Sequence, residues 1–413
     1  MKKSVLFTGI AVLFFMLGCM KSDFTGYQPV SNSGIRLGAL LSLTGGGSST
    51  GESSMVALEL AVNDIKAYLK TVGSDTMFSL EIVDTKTDTA EALKQLEYFY
   101  GKGIRIVIGP YGSAEVAALK NFADTWGMMI ISPSSVAASL AIPGDNIFRF
   151  VSTDLIQAEA MNKMMVEDNI RVIVPLVRDD LWGHDLVSSV RKNFENCGGT
   201  VVNPVYYPPS TVDYSAYLEA LDTNVATQLH KFNPNEVAVY LVTLGEGAGF
   251  LAAAGNFNNL NNVYWYGSSA FALNASVLSD SITARFACTH GLPCPIYGLD
   301  DAAREKWEPL IGRIQAQTGR IPEAYAITAY DALWVAVFTC LKTGPSPDIN
   351  RLKSTFVLES DNFFGASGGT LLDENGDRAT GNYDFWSVKH DTKGFYWKKT
   401  ARYNSSSGVL IRY

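Results

Sequence analysis

The chain is poor in the residues that build metal centres, since histidine occurs four times and cysteine five times in 413 residues. Cys288, His290 and Cys294 fall close together, but one histidine and two cysteines without a second pair make a poor zinc ligand set. Charged residues make up 18% of the chain, the net charge is -8, and no dense run of lysine or arginine occurs. The sequence therefore predicts no metal, no cofactor and no nucleic-acid partner.

Three strings that look like catalytic or ligand motifs lack the context that those motifs need. Residues 365–369 read G-x-S-x-G, but a β-rich segment follows where a nucleophile elbow needs a helix. Residues 373–377 begin like a calcium loop, but Arg378 stands at the glycine position and the closing glutamate is missing. The glycines at 45–47 are not followed by the lysine of a P-loop. The sequence therefore predicts that the protein is not an enzyme.

The amino terminus carries an export signal. Two lysines precede an apolar run at 5–17, which is too short to span a bilayer, and Gly18-Cys19 follow. Residues 1–18 are predicted to be a signal peptide, and Cys19 resembles the lipidated cysteine of bacterial lipoproteins. The polar residues 19–29 are predicted to be a lipidated tether. A secreted protein with an incidental cysteine is the alternative. No later segment is expected to be long and apolar enough to cross a membrane, so any membrane attachment would be through the amino terminus alone.

The remaining cysteines are few and widely spaced. Cys288 and Cys294 flank a short loop and are predicted to form a disulfide in an oxidising compartment. Cys197 and Cys340 each lie near the end of an apolar helix and are predicted to be buried thiols.

The order of secondary structure predicts an α/β protein. From residue 35 onward, short β-rich runs alternate with longer stretches of helical spacing, which is typical of parallel sheets covered by helices on both faces. The rhythm runs once to about residue 150 and then starts again. Nearly 400 residues are too many for one core, so we expect two similar Rossmann-like lobes.

Several short segments carry a resemblance to a known family. The segments follow one another along the chain in the same order as in that family. They lie at 35–44, 82–85, 107–113, 130–135, 178–183, 213–216 and 322–332. Together they resemble the leucine/isoleucine/valine-binding proteins, which are type I periplasmic binding proteins that feed ABC transporters. The resemblance implies three hinge crossovers and a ligand cleft between the lobes. Lobe one would comprise 30–150 plus 292–345, and lobe two 151–291 plus 346–413.

The carboxyl ends of the predicted strands give the candidate ligand-binding residues. Ligands of open α/β sheets bind there, where helix amino termini offer free N–H groups. Hydroxyls in three loops fit this position, although capping of the helices is the alternative for each. Ser113 matches the family's ligand-binding serine, and Ser134 and Ser135 match its carboxylate-binding segment. The candidates from these loops are Thr50, Ser113, Ser134, Ser135 and Val136.

Two departures from the family pattern concern the ligand. Val136 stands where the family commonly has threonine. The segment that holds the family's acidic partner for an ammonium group carries Ser269 and no carboxylate. Either Glu246 or Asp179 replaces that acid, or the ligand is not a zwitterionic amino acid, because an unpaired buried ammonium is unfavourable.

Aromatic side chains complete the predicted cleft, and two functions remain open. Trp182 matches an aromatic cleft residue of the family, and Tyr325 is a second candidate. The leading hypothesis is an exported, membrane-anchored solute-binding component of an ABC-type uptake system. Its partners would be a small polar solute, such as an amino acid or amide, and an ABC permease. The alternative is a lipoprotein of the same fold that activates a cell-wall synthase or senses a solute.

Overall fold

The structure is a computed structural model that describes residues 34–344 and 347–413. The predicted signal peptide at 1–18 and the whole predicted tether at 19–29, with its predicted lipidation site Cys19, lie outside the described residues.

Five strands and three helices alternate along the first part of the chain. They are β1 (Ile35–Leu41), α1 (Ser48–Thr71), β2 (Phe78–Asp84), α2 (Thr89–Gly101), β3 (Ile106–Ile108), α3 (Ser113–Trp126), β4 (Met129–Ser132) and β5 (Ile147–Arg149). The strands form a parallel sheet, the first sheet, in the order β2-β1-β3-β4-β5. Successive residues of β1 face opposite cores, with Ala39 in one and Leu40 in the other. Helices therefore bury both faces of the sheet.

The same alternation is repeated in the second part. Its elements are α4 (Asp154–Glu167), β6 (Val172–Arg178), α5 (Leu181–Asn196), β7 (Thr200–Val201), β8 (Val205–Tyr207), α6 (Ser215–Leu229), β9 (Val237–Val242), α7 (Gly247–Ala254), β10 (Tyr264–Gly267), α8 (Ala275–Ser279) and α9 (Ser281–Thr289). The strands form a second parallel sheet in the order β10-β9-β6-β7, and β8 also pairs with β6. The predicted α/β fold with two parallel sheets is confirmed.

The last part of the chain adds helices and an antiparallel sheet. Its elements are β11 (Cys294–Gly298), α10 (Arg304–Thr318), α11 (Ala324–Thr343), α12 (Ile349–Asp361), β12 (Phe364–Gly365), β13 (Gly368–Gly369), β14 (Asn382–Asp391), β15 (Gly394–Asn404) and β16 (Val409–Arg412). Four of the strands form a sheet in the order β11-β14-β15-β16. The tail is therefore β-rich, as the sequence predicted.

Helix α11 is long and apolar enough to cross a membrane by length and composition, with a mean hydropathy of 1.5. The expectation that no segment after the signal would meet that test is therefore wrong. The helix is nevertheless 78% buried inside the fold, where it packs between α1 and α12. A core helix that is buried nearly all round needs the same composition as a membrane span.

Helix α12 packs against the first sheet. The ring of Phe356 lies 4.8 Å from that of Phe148 and 5.7 Å from that of Phe150, both at the end of β5, and Leu352 joins the same core. The resemblance placed residues 346–413 in lobe two. From this packing we propose that the third crossing follows α12, so that 347–361 belongs with lobe one.

A buried ion pair joins the end of β5 to the turn at 373–377. Arg149 is fully buried and donates from Nε and Nη2 to the two carboxylate oxygens of Asp377, each at 2.5 Å, and from Nη1 to the carbonyl of Ala137 at 2.6 Å. Asp373 closes the turn by accepting from the backbone N–H groups of Asn375 and Asp377 at 2.9 and 3.0 Å. Asp373 and Asp377 are thus engaged in a turn and in an ion pair with β5.

The G-x-S-x-G string forms a buried loop. The Ser367 hydroxyl donates to Asp331 Oδ2 at 2.5 Å and accepts from Arg378 Nη1 at 2.7 Å. Asp331 also accepts from the backbone N–H of Ala366. Ser367 is fully buried and attaches this loop to α11, so its hydroxyl has a structural use.

The predicted disulfide is absent, since Cys288 and Cys294 are both free thiols. Cys294 begins β11 with its thiol directed at the backbone of Gly267, and it donates to the carbonyl of Leu292 at 3.5 Å. Cys288 lies in the last turn of α9, at the edge of the core. The expectation of a buried thiol is also wrong for Cys197, which is exposed because it follows the end of α5.

Candidate functional site

A cavity of about 270 Å³ lies between the first and second sheets, where the loops after their strands face each other. This is the edge at which open α/β sheets bind ligands. The side of the cavity next to the first sheet, called the first side, consists of the start of α2, the start of α3, the loop after β4 and the start of α11. The second side contributes the loops after β6, β8, β9 and β10. The lining residues are Thr87, Asp88, Thr89, Tyr111, Gly112, Ser113, Ala114, Glu115, Ser134, Val136, Arg178, Asp180, Trp182, Pro209, Leu244, Ser269, Ala270 and Tyr325.

The two sides of the cavity contact each other around its mouth. The N–H of Gly245, after β9, donates to the carbonyl of Gly46, after β1, at 3.0 Å. The N–H of Ala275 donates to the Ser49 hydroxyl at 3.2 Å. The described conformation is therefore one in which loops of both sheets meet over the cavity.

The first turn of α3 supplies backbone N–H groups to the cavity. Gly112 is its N-cap residue and has no side chain to cap the helix, while Ser113, Ala114 and Glu115 follow and line the cavity. The first N–H groups of a helix lack partners within the helix and carry its positive dipole end. Helix α3 has 14 residues, which is long enough for a substantial helix dipole. This end of the cavity therefore favours a carboxylate or another oxygen acceptor.

The predicted serines join α3 to the loop after β4. Ser113 Oγ accepts from the backbone N–H groups of Val136 and Ala137 at 3.2 Å each, and lies 2.9 Å from Ser135 Oγ. Ser134 Oγ donates to the carbonyl of Tyr111 at 3.0 Å. Ser113, Ser134 and Val136 line the cavity, whereas Ser135 lies behind it and holds Ser113. The serines thus fix the shape of this wall.

The other predicted residues divide between the wall and its surroundings. Trp182 and Tyr325 are 5% and 2% exposed and both line the cavity. Ser269 also lines it, and its N–H donates to Gln157 Oε1 at 2.9 Å, which ties the loop after β10 to α4. Thr50 is buried in α1 and is not among the lining residues, so the structure does not bring it to the cavity.

The sequence analysis missed Arg178 and Asp180, and it named Glu246 only as a possible ammonium partner. Arg178 ends β6 and is 7% exposed. Its Nε donates to Asp180 Oδ2 at 2.7 Å and its Nη1 to Glu246 Oε1 at 2.6 Å. Burial opposes its charge, but the two carboxylates more than offset burial, so the pKa of Arg178 is raised. The guanidinium is thus a fixed charge in the cavity wall. In the sequence, the feature that could have identified this residue was an arginine at the end of an apolar strand.

Neither of the two acids proposed from the sequence as an ammonium partner is free. Glu246 bonds Arg178, also accepts from the Tyr207 hydroxyl at 3.0 Å, and does not line the cavity. The side chain of Asp179 is 52% exposed and lies 2.7 Å from His184 Nε2. Ser269 carries no carboxylate, as the sequence showed.

Glu115 is a second lining residue that sequence reasoning missed. It is 2% exposed, and its Oε2 accepts from the N–H of Gly112 at 3.0 Å. Its Oε1 is buried and has no hydrogen-bond partner among the described residues. Burial raises the pKa of Glu115 to about 7. Hydrogen bonds with Thr85, Gly112 and Ser42 and the charge of Arg178 act in the other direction and lower the pKa, but burial has the larger effect. A carboxyl at this position in a predicted binding loop was the available signal.

Two parallel sheets with a cavity between their carboxyl ends are the architecture of the two-lobed, type I periplasmic binding proteins. The chain belongs to the periplasmic binding protein family, whose model matches residues 34–393. The resemblance drawn from the sequence is thereby confirmed. Members of this family are solute-binding proteins rather than enzymes.

Known proteins agree with this membership. The uncharacterized protein MJ1266 of Methanocaldococcus jannaschii is 26% identical over 416 residues, which is 96% of each chain. The leucine-binding protein LivK of Thermotoga maritima has the same fold, with a TM-score of 0.72 and 19% identity over 92% of this chain and 99% of that one. A solute-binding protein of an ABC transporter from R. palustris, solved with benzoate, has a TM-score of 0.70 and 16% identity over 89% and 96%.

Proposed function

We propose that the protein is the extracytoplasmic solute-binding component of an ABC-type uptake system. Its solute is a small polar compound, such as an amino acid, an amide or a related molecule. The observation that carries the proposal is the cavity between the two sheets, which presents the first turn of α3 on one side and the aromatic rings of Trp182 and Tyr325 around it. A helix amino terminus fixes an oxygen acceptor, and aromatic walls bury the apolar part of a ligand.

The size and lining of the cavity support a small ligand. A volume of about 270 Å³ accommodates a compound of a few carbon atoms and excludes a polymer. The lining combines eight apolar or aromatic side chains with nine polar or charged ones, which supports a ligand that has both an apolar and a polar part. Relatives named for leucine and solved with benzoate show that this fold receives small carboxylic acids of different kinds.

The partners and location follow from the family and from the amino terminus. We propose that residues 1–18 direct export and that Cys19 is lipidated and anchors the protein to a membrane. The anchored protein would face the periplasm or the cell exterior. With its solute bound, it would dock on an ABC permease. These residues lie outside the described part of the chain, so this proposal rests on the sequence pattern.

A thermal-shift screen of a chain that begins at Tyr27 tests solute binding. The library contains amino acids, amides, small carboxylates, polyamines and sugars. A ligand at 100 times its dissociation constant stabilises the folded protein by about 2.7 kcal/mol, which corresponds to roughly 5–10 °C for lobes of this size. We expect a shift that is confined to one chemical class.

Matched tryptophan variants place the site. Trp182→Ala should remove most of the ligand-induced shift, because Trp182 lines the cavity. Trp126→Ala is the control, since Trp126 is 50% exposed and lies at the far end of α3. No shift with any compound, together with no co-purified small molecule by mass spectrometry, would contradict the proposal and favour the partner-binding alternative.

A further inference from the structure

An open pocket of about 650 Å³ lies at the amino ends of the strands of the first sheet, whereas the cavity between the sheets lies at their carboxyl ends. Three basic residues line this pocket, namely Arg36 in β1 and Lys102 and Arg105 between α2 and β3. Trp126, the last residue of α3, lines it too. None of its described lining residues is acidic. Because the whole chain carries a net charge of -8, this basic pocket is opposite in sign to the protein as a whole.

The two arginines of the basic pocket are exposed, and their hydrogen bonds leave their charges uncompensated. Arg36 Nη1 donates to the carbonyl of Lys102 at 3.0 Å, and Arg105 Nη1 donates to two backbone carbonyls at 3.0 and 3.2 Å. Lys102 differs, because its Nζ lies 2.8 Å from Glu81 Oε1, beside the pocket. Among the described residues, two of the three basic charges therefore remain available to a partner outside the protein.

Exposed aromatic and apolar side chains border the basic pocket. The ring of Trp126, half exposed, lies 5.1 Å from that of Tyr100, and the Arg105 guanidinium lies 4.2 Å from the centre of the Tyr100 ring. Met77 is 77% exposed and lies beside the start of β1, since its carbonyl accepts from the N–H of Ile35 at 2.9 Å. Tryptophan, tyrosine and basic side chains together are typical of protein surfaces at the headgroup level of a membrane.

The described part of the chain begins at this pocket. Gly34 lines it, and residues 20–33 separate Gly34 from the predicted lipidation site Cys19. A chain of that length reaches at most about 50 Å when it is fully extended. With Cys19 as the anchor, the covalent chain therefore keeps the basic pocket closer to the lipid surface than any later residue is required to be.

The pocket at the start of β10, in the second sheet, has a different balance of charge. Asp168, Lys389 and Arg412 line it, and Arg412 Nη2 donates to Asp168 Oδ1 at 2.7 Å. Asp168 also accepts from the Tyr266 hydroxyl at 2.7 Å. The arginine of this second pocket is thus paired within the protein, so the unpaired positive charge belongs to the end of the first sheet.

We propose that the basic pocket contacts the anionic phosphate headgroups of the membrane that holds the lipid anchor. The inference rests on the anchor of the proposed function and adds an orientation, in which the amino ends of the first sheet face the lipid. Exposed Met77 and Trp126 favour a lipid surface over a dissolved phosphate, because they bury apolar area only at the lipid surface. The contact is weak and reversible, so the protein leaves it to dock on a permease.

Co-sedimentation with vesicles tests the contact without the anchor. The chain begins at Tyr27 and so contains every described residue. Vesicles of equal parts phosphatidylglycerol and phosphatidylcholine are compared with vesicles of phosphatidylcholine alone. We expect binding to the anionic vesicles to be at least about tenfold tighter at about 25 mM salt and to disappear at about 300 mM salt. Equal binding to both kinds of vesicle, or binding to neither, would overturn the inference.

A matched pair of double variants locates the contact at the pocket. Arg36→Gln/Arg105→Gln should weaken binding to the anionic vesicles by about 30-fold, which is about fivefold for each basic side chain near an anionic surface. Lys163→Gln/Arg304→Gln removes the same charge from exposed side chains outside the pocket and should change binding by less than about twofold. An equal loss in both variants would reveal a general effect of net charge and overturn the inference.

Two further measurements separate this inference from its alternatives. Calorimetric titration with glycerol 3-phosphate measures binding of a dissolved phosphate, and such binding without vesicle binding would overturn the membrane contact. The solute screen tests the cavity independently. Solute binding without vesicle binding would overturn this inference and leave the proposed function, whereas vesicle binding without any solute would support the contact and contradict that function.

Discussion

The buried pair of Arg149 and Asp377 makes a quantitative prediction about the stability of the fold. Both side chains are at most 2% exposed, and two parallel hydrogen bonds of 2.5 Å join them. Asp377→Ala leaves the guanidinium with the Ala137 carbonyl as its remaining described acceptor. Removing one partner of such a pair lowers the free energy of unfolding by about 3–5 kcal/mol, because an uncompensated charge stays buried.

Replacing both partners separates the pair's geometry from its charge. In Arg149→Met/Asp377→Leu no charge is buried, so most of the stability should return. The Ala137 carbonyl then loses its donor, which leaves a deficit of about 1–3 kcal/mol. The double variant should therefore be more stable than Asp377→Ala alone.

Urea unfolding followed by circular dichroism measures these differences, and an exposed pair serves as the control. Arg304 and Glu308 lie one helical turn apart with side chains 64% and 62% exposed, so Glu308→Ala should change stability by about 0.5 kcal/mol or less. If Asp377→Ala lost no more stability than Glu308→Ala, the Arg149–Asp377 pair would be solvated and the reasoning refuted.

Three further predictions concern stability and chemistry. The Glu115 carboxyl, whose pKa is raised to about 7, favours the fold while it is protonated. The free energy of unfolding of the ligand-free protein should therefore fall by about 3 kcal/mol as the pH rises from 4.5 through 7. Urea unfolding at several pH values should show this fall in the unaltered protein and not in Glu115→Gln. Gly51→Ala places a methyl group 1.9 Å from the Ser42 carbonyl oxygen and should destabilise by about 1–3 kcal/mol, whereas Gly312→Ala, with open space in α10, should stabilise by up to about 1 kcal/mol. When the protein is unfolded without reductant, Cys288 and Cys294 should both react with a thiol reagent, because they form no disulfide. Failure of these two cysteines to react would contradict the structure.

The fold was largely predictable because its signals are local. Strands buried on both faces require continuous apolar runs, and the helices between them show one apolar side, so alternation alone indicates parallel sheets. The packing of α12 was not predictable from such signals. Its apolar face fits a sheet of either lobe, and only the contact of Phe356 with Phe148 and Phe150 shows which one it covers.

The candidate site was predictable where it depends on position in the chain. Six of the eight predicted ligand-binding residues line the cavity because loops after parallel strands meet at one edge: Ser113, Ser134, Val136, Trp182, Ser269 and Tyr325. Ligand contact for each remains a prediction. The charged wall was missed because Arg178 and Glu246 are 68 residues apart, and no local pattern pairs them. A buried glutamate such as Glu115 looks in the sequence like any acidic residue in the first turn of a helix.

The contacts across the cavity indicate how a solute would control its shape. Loops of the two sheets are joined by hydrogen bonds from Gly245 to Gly46, from Ala275 to Ser49 and from Ser139 to Asp185. At about 0.5–1.5 kcal/mol each, these three bonds together contribute about 1.5–4.5 kcal/mol. A solute bound with micromolar affinity contributes about 8 kcal/mol, which exceeds them. If the proposed function holds, a solute that contacts both sides would favour the closed arrangement more strongly than these three hydrogen bonds do.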